Sequence, residues 1–513
     1  MWGISRMVCC AVLIGAIVPS SAAASPGSEV RDARRTSISA RKGSSTGLAY
    51  FAPAVPVDMY EPDDDWPGTQ ISSANLPLTR TCTIDAGAID IDTYTLVTTP
   101  GTRYRFETTG ELDTIITLYT SSGEVLAWFD DKSAADFSAR GFWTATAAIK
   151  SVVVEVSTGT TEEAGAYTME IASTPASVLA AAVPRVQGAN RFEVAANTAR
   201  AIYGTGWKKS TGGRVTDVIV VCGEDRAMAD PLAAASLAGW YEAPLLMTNA
   251  QGLPPVTAAA ITSIRRANGG KVTIHVIGGT GSISPAVYSK LAALRGKGAI
   301  ERIAAVDRYE LAGRIADRLN SLVFARTGEH PIEVFVANGQ NPAAFYDALA
   351  VSGMCYRWSA PLLLTRNTSI PESTRARLAD KKKFFESYVY AVNSTKYLPA
   401  KVYNGIAATE RLAHSADRYG AALQIAQWGL FSSSGSQAEL VLVNKLPDAL
   451  AAGTFAGARN GLMLYVPATG PSSNTATFLS QRKSAVSHAT VFGGTASVTG
   501  AGLRKVASLL NSR

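Results

Sequence analysis

Three arginines at recurring positions are the residues of this sequence best suited to bind an anion. Arg191, Arg308 and Arg418 are each the second residue of a repeated word: NRFEVAANTARAI, DRYELAGRIADRL and DRYGAALQIAQW. A guanidinium presents a planar fork of donors that matches a carboxylate or a phosphate. The words recur about every hundred residues, which is the size of a domain, so the repeat is one of whole modules.

The repeated words predict helix starts. The Asn or Asp that opens each word is followed by apolar residues at helical spacing, which is typical of an N-cap. An acid three residues later predicts a capping box in the first two copies, whereas a glycine breaks it in the third. The residues concerned are Asn190, Asp307 and Asp417 as caps, with Glu193, Glu310 and Gly420 at the third helical position. Capping explains the Asp but not the arginine, since a cation in the first turn opposes the helix dipole by roughly 0.3 to 1 kcal/mol.

A second repeated word supplies an acid to every module. The words DPLAAASLAG, DALAVSGMCY and DALAAGTFAG begin at Asp230, Asp347 and Asp448. An ion pair between the arginine and the acid of its own module would offset the dipole cost, and the recurrence of the acid favours this internal clamp. The alternative partner is an external phosphate or carboxylate, with Tyr309 and Tyr419 offering ring faces to a sugar. Both hold if the ion pair lines the site.

The elements that must position these residues are parallel strands covered by helices. Apolar runs such as VTDVIVVC, IEVFVAN and AELVLVN are apolar on both faces and alternate with amphipathic segments. The order predicts doubly wound α/β (Rossmann-like) modules. PLLMT and PLLLT end at Thr248 and Thr365, at the sheet edge where such folds bind ligands, although a turn hydroxyl is the plainer role.

A glycine pair follows the third predicted strand in two of the three modules. The words are VIGGTGSIS at Val276 and VFGGTASVT at Val491, whereas the middle copy reads AVNSTKYLP. A glycine turn before a helix can cradle phosphate, but the spacing is not that of a dinucleotide-binding fingerprint. Asn393 in the middle copy argues that the glycines serve a turn.

These words resemble the cell-wall-binding repeat 2 family, which occurs as three tandem modules in surface proteins of clostridia, bacilli and actinobacteria. The modules would span 184–301, 302–410 and 411–513. The resemblance implies a compact toroidal unit that anchors a protein non-covalently to an anionic polysaccharide or teichoic-type polymer of a Gram-positive-type wall.

The first residues predict export. Residues 1–24 hold Arg6, an apolar run at 7–18 and an Ala22-x-Ala24 pattern, which together predict a signal peptide. The run is shorter than the twenty or so residues that a membrane span needs. Residues 25–56 are rich in Ser, Gly and Arg and predict a flexible basic linker. Cys82, Cys222 and Cys355 would remain after cleavage and suit isolated core thiols.

Residues 57–174 predict a β-sandwich, because six short runs with period-two alternation are separated by turn residues. The words DMYEPDDDWPG, DIDTYTL and GAYTMEI resemble the pre-peptidase C-terminal family, which implies an accessory domain. Carboxylates of this segment could hold calcium, although acidic turns are common without metal. The candidates are Asp90, Asp92, Asp130 and Asp131, with Asp63, Asp64 and Asp65 nearby.

The charge distribution separates the two halves of the chain. Acidic residues outnumber basic ones nineteen to six over 57–173, whereas basic residues outnumber acidic ones thirty-six to twenty over 174–513. An exported basic region suits an anionic wall polymer better than nucleic acid, because the sequence has no nucleic-acid-binding motif. The plain alternative is that the charge serves only to keep the protein soluble. Oligomer formation stays open.

Few features indicate an enzyme. The four histidines neither recur between modules nor fall in a catalytic motif, so no catalytic residue is assigned and no cofactor beyond calcium is expected. The sequence therefore predicts a secreted, wall-anchored surface protein. The alternatives are a wall hydrolase whose paired carboxylates lie among the repeat acids, and a secreted receptor for a soluble ligand at the strand-end edges.

Overall fold

A computed structural model describes residues 69–511, apart from gaps at 85–90, 101, 111, 134–135, 146–148, 159–163, 175–182, 211–212, 381–387, 433–437 and 483–485. The predicted signal peptide, the basic linker and Asp63 to Asp65 lie outside these residues. The chain is a multidomain mixed α/β protein that divides into two compact units near residue 180.

The first unit consists of two five-stranded sheets with a shared apolar core. Its strands are β1 (Thr69–Ile71), β2 (Leu78–Ile84), β3 (Asp92–Val97), β4 (Arg103–Gly110), β5 (Thr114–Tyr119), β6 (Val125–Phe129), β7 (Asp131–Ser133), β8 (Asp136–Thr144), β9 (Ser151–Thr158) and β10 (Gly165–Thr174). The sheet orders are β1-β3-β9-β5-β6 and β2-β10-β4-β8-β7. Side chains from both sheets, such as Leu96 and Phe106, are fully buried in one cluster.

The second unit begins with a two-residue strand and a first module. These elements are β11 (Arg185–Val186), α1 (Arg191–Tyr203), β12 (Asp217–Cys222), α2 (Ala234–Trp240), β13 (Leu245–Thr248), α3 (Pro255–Ala267), β14 (Thr273–Ile277), α4 (Pro285–Leu294) and β15 (Ile300–Ile303). The strands pair in parallel, in the order β13-β12-β14-β15. A parallel sheet with helical crossovers follows from strands that are apolar on both faces.

The second and third modules repeat this order. The second has α5 (Arg308–Thr327), β16 (Glu333–Asn338), α6 (Phe345–Ala350), α7 (Ser352–Trp358), β17 (Leu362–Thr365), α8 (Glu372–Ala379), β18 (Tyr388–Ala391), α9 (Ala400–Gly405) and β19 (Glu410–Arg411). The third has α10 (Arg418–Ser432), β20 (Ala438–Val443), α11 (Leu446–Ala458), β21 (Gly461–Tyr465), α12 (Ser473–Arg482), β22 (Val486–Phe492) and α13 (Gly500–Asn511).

The fourth strand of each sheet is the segment that leads into another module. In the first two sheets, β15 and β19 pair with β14 and β18 and then run into the helices α5 and α10 of the next module. In the third sheet that place is taken by β11, which pairs in parallel with β22 at Arg185↔Val491 and Val186↔Phe492. The start of the unit therefore completes the sheet at its end, and the three modules close into a ring.

The centre of the ring is a close contact between one helix of each module, which follows the repeated acid in the first two modules and contains it in the third. Helices α2, α7 and α11 pack against one another, and their apolar side chains belong to one cluster that spans all three modules. The approach requires small residues: a Cβ at Gly239 would collide with the backbone carbonyl of Tyr356, and one at Gly457 would collide with the Tyr356 side chain. The hydroxyl groups of Tyr203 and Tyr356 lie 3.2 Å apart across two modules.

The helix starts follow the capping prediction, with one difference. The side chains of Asn190, Asp307 and Asp417 each accept two backbone N–H bonds of the first turn. The reciprocal half of the predicted box differs: Glu193 accepts from the N–H of Ala189 rather than of the cap residue, and Glu310 bonds Arg314 and Arg377. Glu310 reaches Arg377 because α8 packs against α5, whereas Arg314 lies one turn further along α5 itself.

Candidate functional site

The repeated arginines lie where the first strand of each module ends. Arg191 Nη1 donates to the carbonyl of Gly223 and to Asp225 Oδ1, both at 2.5 Å. Arg308 Nη1 donates to the carbonyl of Gly339 at 3.1 Å. Arg418 Nη2 donates to Tyr419 Oη and, at 2.8 Å, to Asn444 Oδ1. Acceptors of the strand-end loop therefore offset the unfavourable position of the cation in the first helical turn.

The predicted clamp between each arginine and the acid of its own module is wrong. Asp230 and Asp448 accept from the hydroxyls of Ser282 and Ser497, and Asp347 accepts from Asn393 Nδ2 at 2.9 Å. These donors lie in the turn after the third strand of the same module. Each acid is thus hydrogen-bonded within its own module, and the arginine of that module has other partners.

The arginine lies instead toward the preceding module of the ring. Burial raises the pKa of Asp448 in the third module, and the charge of Arg191 in the first module acts in the opposite direction. The Arg418 guanidinium, in the third module, lies 4.5 Å from the ring centroid of Tyr346, the residue before Asp347. The physical reason is the ring topology, because the fourth strand of one sheet delivers the helix start of the next module to that sheet's edge.

Burial raises the pKa of two of the repeated acids. The pKa of Asp347 rises to about 7 through burial, with a decrease from the Asn393 hydrogen bond and a further increase from the charge of Asp417. Burial also raises the pKa of Asp448, while the Ser497 hydroxyl and the charges of Lys445 and Arg191 lower it. These carboxyls are interior packing groups, with 1% and 8% of the residue exposed.

The residue that lies beside the repeated acid, in the turn after the third strand, is a glycine in the outer modules and an asparagine in the middle one. Gly278 and Gly493 have φ of 121° and 93°, a region that favours glycine. A Cβ at Gly493 would also collide with the carboxylate of Asp448. In the middle module Asn393 takes this place, and its side-chain amide supplies the bond that serine supplies elsewhere. The glycines therefore form turns beside the acid.

Three predicted ligand contacts are buried. Thr248 and Thr365 are fully buried, and their hydroxyls donate to the backbone carbonyls of Gly252 at 3.0 Å and Ala337 at 3.4 Å. Tyr309 is 6% exposed, and the Arg366 guanidinium covers its ring at 4.7 Å. The Thr248 hydroxyl matches the turn role that the sequence left open, whereas the Thr365 hydroxyl bonds the neighbouring strand β16 instead of a turn. Tyr309 has no open ring face for a sugar. Tyr419 is half-buried.

Sequence reasoning missed a second set of repeated arginines. Each lies on the fourth strand of a sheet and donates to the carbonyl that closely follows the third strand: Arg185 to Gly493, Arg302 to Gly278 and Arg411 to Asn393. Burial lowers the pKa of all three guanidinium groups. The signal was present, because an arginine stands six or seven residues before each of Arg191, Arg308 and Arg418.

The first module has a cleft of 310 Å³ beside its arginine, lined by Arg191, Phe192, Gly223, Glu224, Asp225 and Asn249. Glu224 accepts from the N–H of Ala250 at 2.7 Å and from Arg226 at 2.8 Å, and Asp225 pairs with Arg191. Two carboxylates therefore balance the cations of this cleft.

Of the four calcium candidates, the two whose side chains are described, Asp92 and Asp130, do not converge. Asp90 lies outside the described residues, as does the side chain of Asp131. Asp92 is buried and accepts from the Tyr167 hydroxyl. The register Asp92↔Val156↔Ile116↔Phe129 places Asp130 three strands away from Asp92, or about 14 Å at the usual strand spacing. Asp92 and Asp130 therefore cannot share one cation, and the described residues include no cluster of three potential ligands.

Two further findings bear on the sequence predictions. Cys82, Cys222 and Cys355 are buried free thiols, as predicted. Among the described helices, none has the length and apolar character that crossing a bilayer requires.

Two curated proteins are similar in sequence to part of this chain, over part of their own length. N-acetylmuramoyl-L-alanine amidase LytC of Bacillus subtilis (strain 168) is 28% identical over 277 residues, which are 53% of this chain and 48% of the relative. The amidase enhancer of the same organism is 29% identical over 192 residues, 37% of this chain and 23% of the relative. The chain thus spans about half or less of these curated relatives.

Two solved structures share the fold. Cwp6 from Clostridium difficile has a TM-score of 0.56 at 20% identity, covering 83% of this chain and 68% of that one. Cwp8 from the same organism has a TM-score of 0.53 at 19% identity, covering 72% and 59%. The model of cell wall binding domain 2 matches residues 185–288, 302–403 and 412–501, more than half of the chain. The chain therefore belongs to the cell wall binding domain 2 family.

Proposed function

We propose that this chain is a secreted surface protein that attaches non-covalently to an anionic polymer of a Gram-positive-type cell wall through its three modules. The observation that carries the proposal is the match of three tandem segments to a wall-binding family. We assign each module a Rossmann-like doubly wound fold, and the first unit an accessory β-sandwich of the pre-peptidase C-terminal type.

The charge of the modules supports a polyanion as the ligand. Basic residues outnumber acidic ones thirty-six to twenty after residue 173. Several weak contacts to one polymer add, and a basic surface concentrates the polymer around the protein. The opposite excess over 57–173 would keep the first unit away from the same polymer, which suits a role in contacts with other partners.

A binding role fits the repeated acids better than a hydrolytic one. A hydrolase needs an acid and a base within reach of the bond that it cleaves. Asp347 and Asp448 are buried, and each is hydrogen-bonded within its own module. The amidase name of one relative belongs to a protein of which this chain covers 48%.

Co-sedimentation of the purified chain with isolated Gram-positive walls tests the proposal. The walls are used before and after chemical removal of their anionic polymer, across a salt series. We expect binding that disappears with the polymer and weakens as salt screens the charges. Failure to bind intact walls at low salt would contradict the proposal and favour a receptor for a soluble ligand.

A further inference from the structure

The repeated arginines of the first and third modules have different electrostatic surroundings. Arg191 forms an ion pair with Asp225, whose side chain is 82% exposed, so the first module neutralises its own cation. Arg418 in the third module has neutral hydrogen-bond acceptors, Tyr419 Oη and Asn444 Oδ1. Both of these bonds use Nη2. Within the described part of the chain, the Nη1 and Nε donors of Arg418 are left to bind an external anion.

Aromatic rings hold the Arg418 guanidinium in place. Its carbon lies 4.5 Å from the ring centroid of Tyr346 and 4.8 Å from that of Tyr419. Tyr346 is itself fixed by an edge-to-face contact with Tyr465, at 5.1 Å and 77°, and its carbonyl accepts from the Tyr465 hydroxyl at 2.9 Å. A cation held in this way binds an anion with little loss of side-chain freedom.

The tyrosine rings that hold Arg418 belong to the boundary between the middle and third modules. Tyr346 belongs to the middle module and stands directly before its repeated acid, whereas the other modules have Ala229 and Pro447 at this position. The boundary between the middle and third modules therefore combines a cation with two half-buried tyrosine rings. At the other two boundaries the described residue in the place of Tyr346 is not aromatic.

The strand-end loop of the third module also differs in charge. After β12 the first module reads Gly223-Glu224-Asp225, whereas after Asn444 the third module reads Lys445-Leu446-Pro447. Lys445 is exposed. The loop therefore contributes a cation next to Arg418 where the first module contributes two carboxylates next to Arg191.

We propose that the boundary between the middle and third modules is the subsite for an acidic sugar of the polymer. Arg418 and Lys445 bind its carboxylate or phosphate, and the exposed parts of Tyr346 and Tyr419 contact the sugar ring. The inference rests on the proposed function and deepens it, because it places recognition at one boundary rather than equally at all three.

The test compares the full chain with single variants in binding to four purified polymers. These are a hexose-phosphate polymer, a uronic-acid polysaccharide, neutral dextran and inorganic polyphosphate. Arg418→Gln should weaken binding of an acidic sugar polymer by about tenfold, the usual effect of losing a charge-assisted hydrogen bond. Lys445→Gln should weaken it by about threefold, and Arg266→Gln, an exposed change in α3, should leave it unchanged. The polymer that responds tells phosphate from carboxylate.

Three results would overturn the inference while leaving wall binding intact. One is unchanged binding by Arg418→Gln and Lys445→Gln, another is a larger loss in Arg191→Gln than in Arg418→Gln, and the third is equal affinity for polyphosphate and the acidic sugar polymers. Thermal unfolding is measured for each variant. If Arg418→Gln is unfolded, Lys445→Gln decides, since its side chain is exposed. A wild-type chain that binds no wall at all contradicts the proposed function instead.

Discussion

Replacement of Asp347 by asparagine should stabilise the ring of modules at neutral pH. The carboxyl is 1% exposed, and burial raises its pKa from 3.8 to about 7. The amide that Asp347→Asn introduces keeps an oxygen that accepts from Asn393 without carrying a charge, and the change in volume is small. The substitution therefore removes the cost of burying an ionised group while it preserves the local packing.

The size and pH dependence follow from the difference in pKa between the folded and unfolded chains. Between pH 4 and pH 7 the unfolded chain loses the proton of Asp347 and the folded chain keeps it, so the wild-type stability falls as pH rises. A pKa difference of about three corresponds to about 4 kcal/mol, reached above pH 7. At pH 5 only about 1.5 kcal/mol of this cost is present. Asp347→Asn should therefore gain about 2.5 kcal/mol more over wild type at pH 8 than at pH 5.

Calorimetry of the full chain at both pH values measures this difference. Asp225→Asn is the matched control, because that side chain is 82% exposed and should change stability equally at the two pH values. A destabilisation by Asp347→Asn of the same size at pH 5 and pH 8 would refute the reasoning, since it would show that the carboxyl is not neutral in the folded chain.

Two further substitutions test the turns and the closure of the ring. Gly493→Ala should destabilise the chain by about 2 to 4 kcal/mol, because of a positive φ and a collision with Asp448, while Gly494→Ala, which meets open space, should cost less than about 1 kcal/mol. Equal effects of the two changes in urea unfolding would contradict this account. Arg185→Gln should cost about 2 to 4 kcal/mol, because two carbonyls of the third module lose a charged donor. The exposed Arg266→Gln should be neutral in the same assay, and equal unfolding midpoints for the two would mean that β11 does not hold the ring closed.

The local parts of the candidate site were predictable. Asn190, Asp307 and Asp417 cap helices because a short polar side chain can satisfy the N–H groups two and three residues ahead. The turn role of Gly493 could likewise be argued from the strand before it and from Asn393 in the middle copy. Each of these arguments depends on residues that are close in sequence.

The partners of the charged residues were not predictable in the same way. An acid and an arginine recur in each module, so pairing within one module was the simplest hypothesis. In the structure, Ser497 donates to Asp448, and the charge of Arg191 in another module lowers the pKa of Asp448. Recurrence of the acid and the arginine shows that every module needs both residues. It does not show on which side of a module boundary their partners lie.

The amino-acid sequence by itself determined the three modules, their alternation of helices and parallel strands, and the start of each first helix. These depend on short-range periodicity and on hydrogen bonds between near neighbours. Only the tertiary structure decided that β11 completes the sheet of the third module, that Tyr346 faces Arg418, and that Thr248 and Tyr309 are buried. The physical reason is that these contacts join segments up to about three hundred residues apart, and their geometry exists only once the ring has closed.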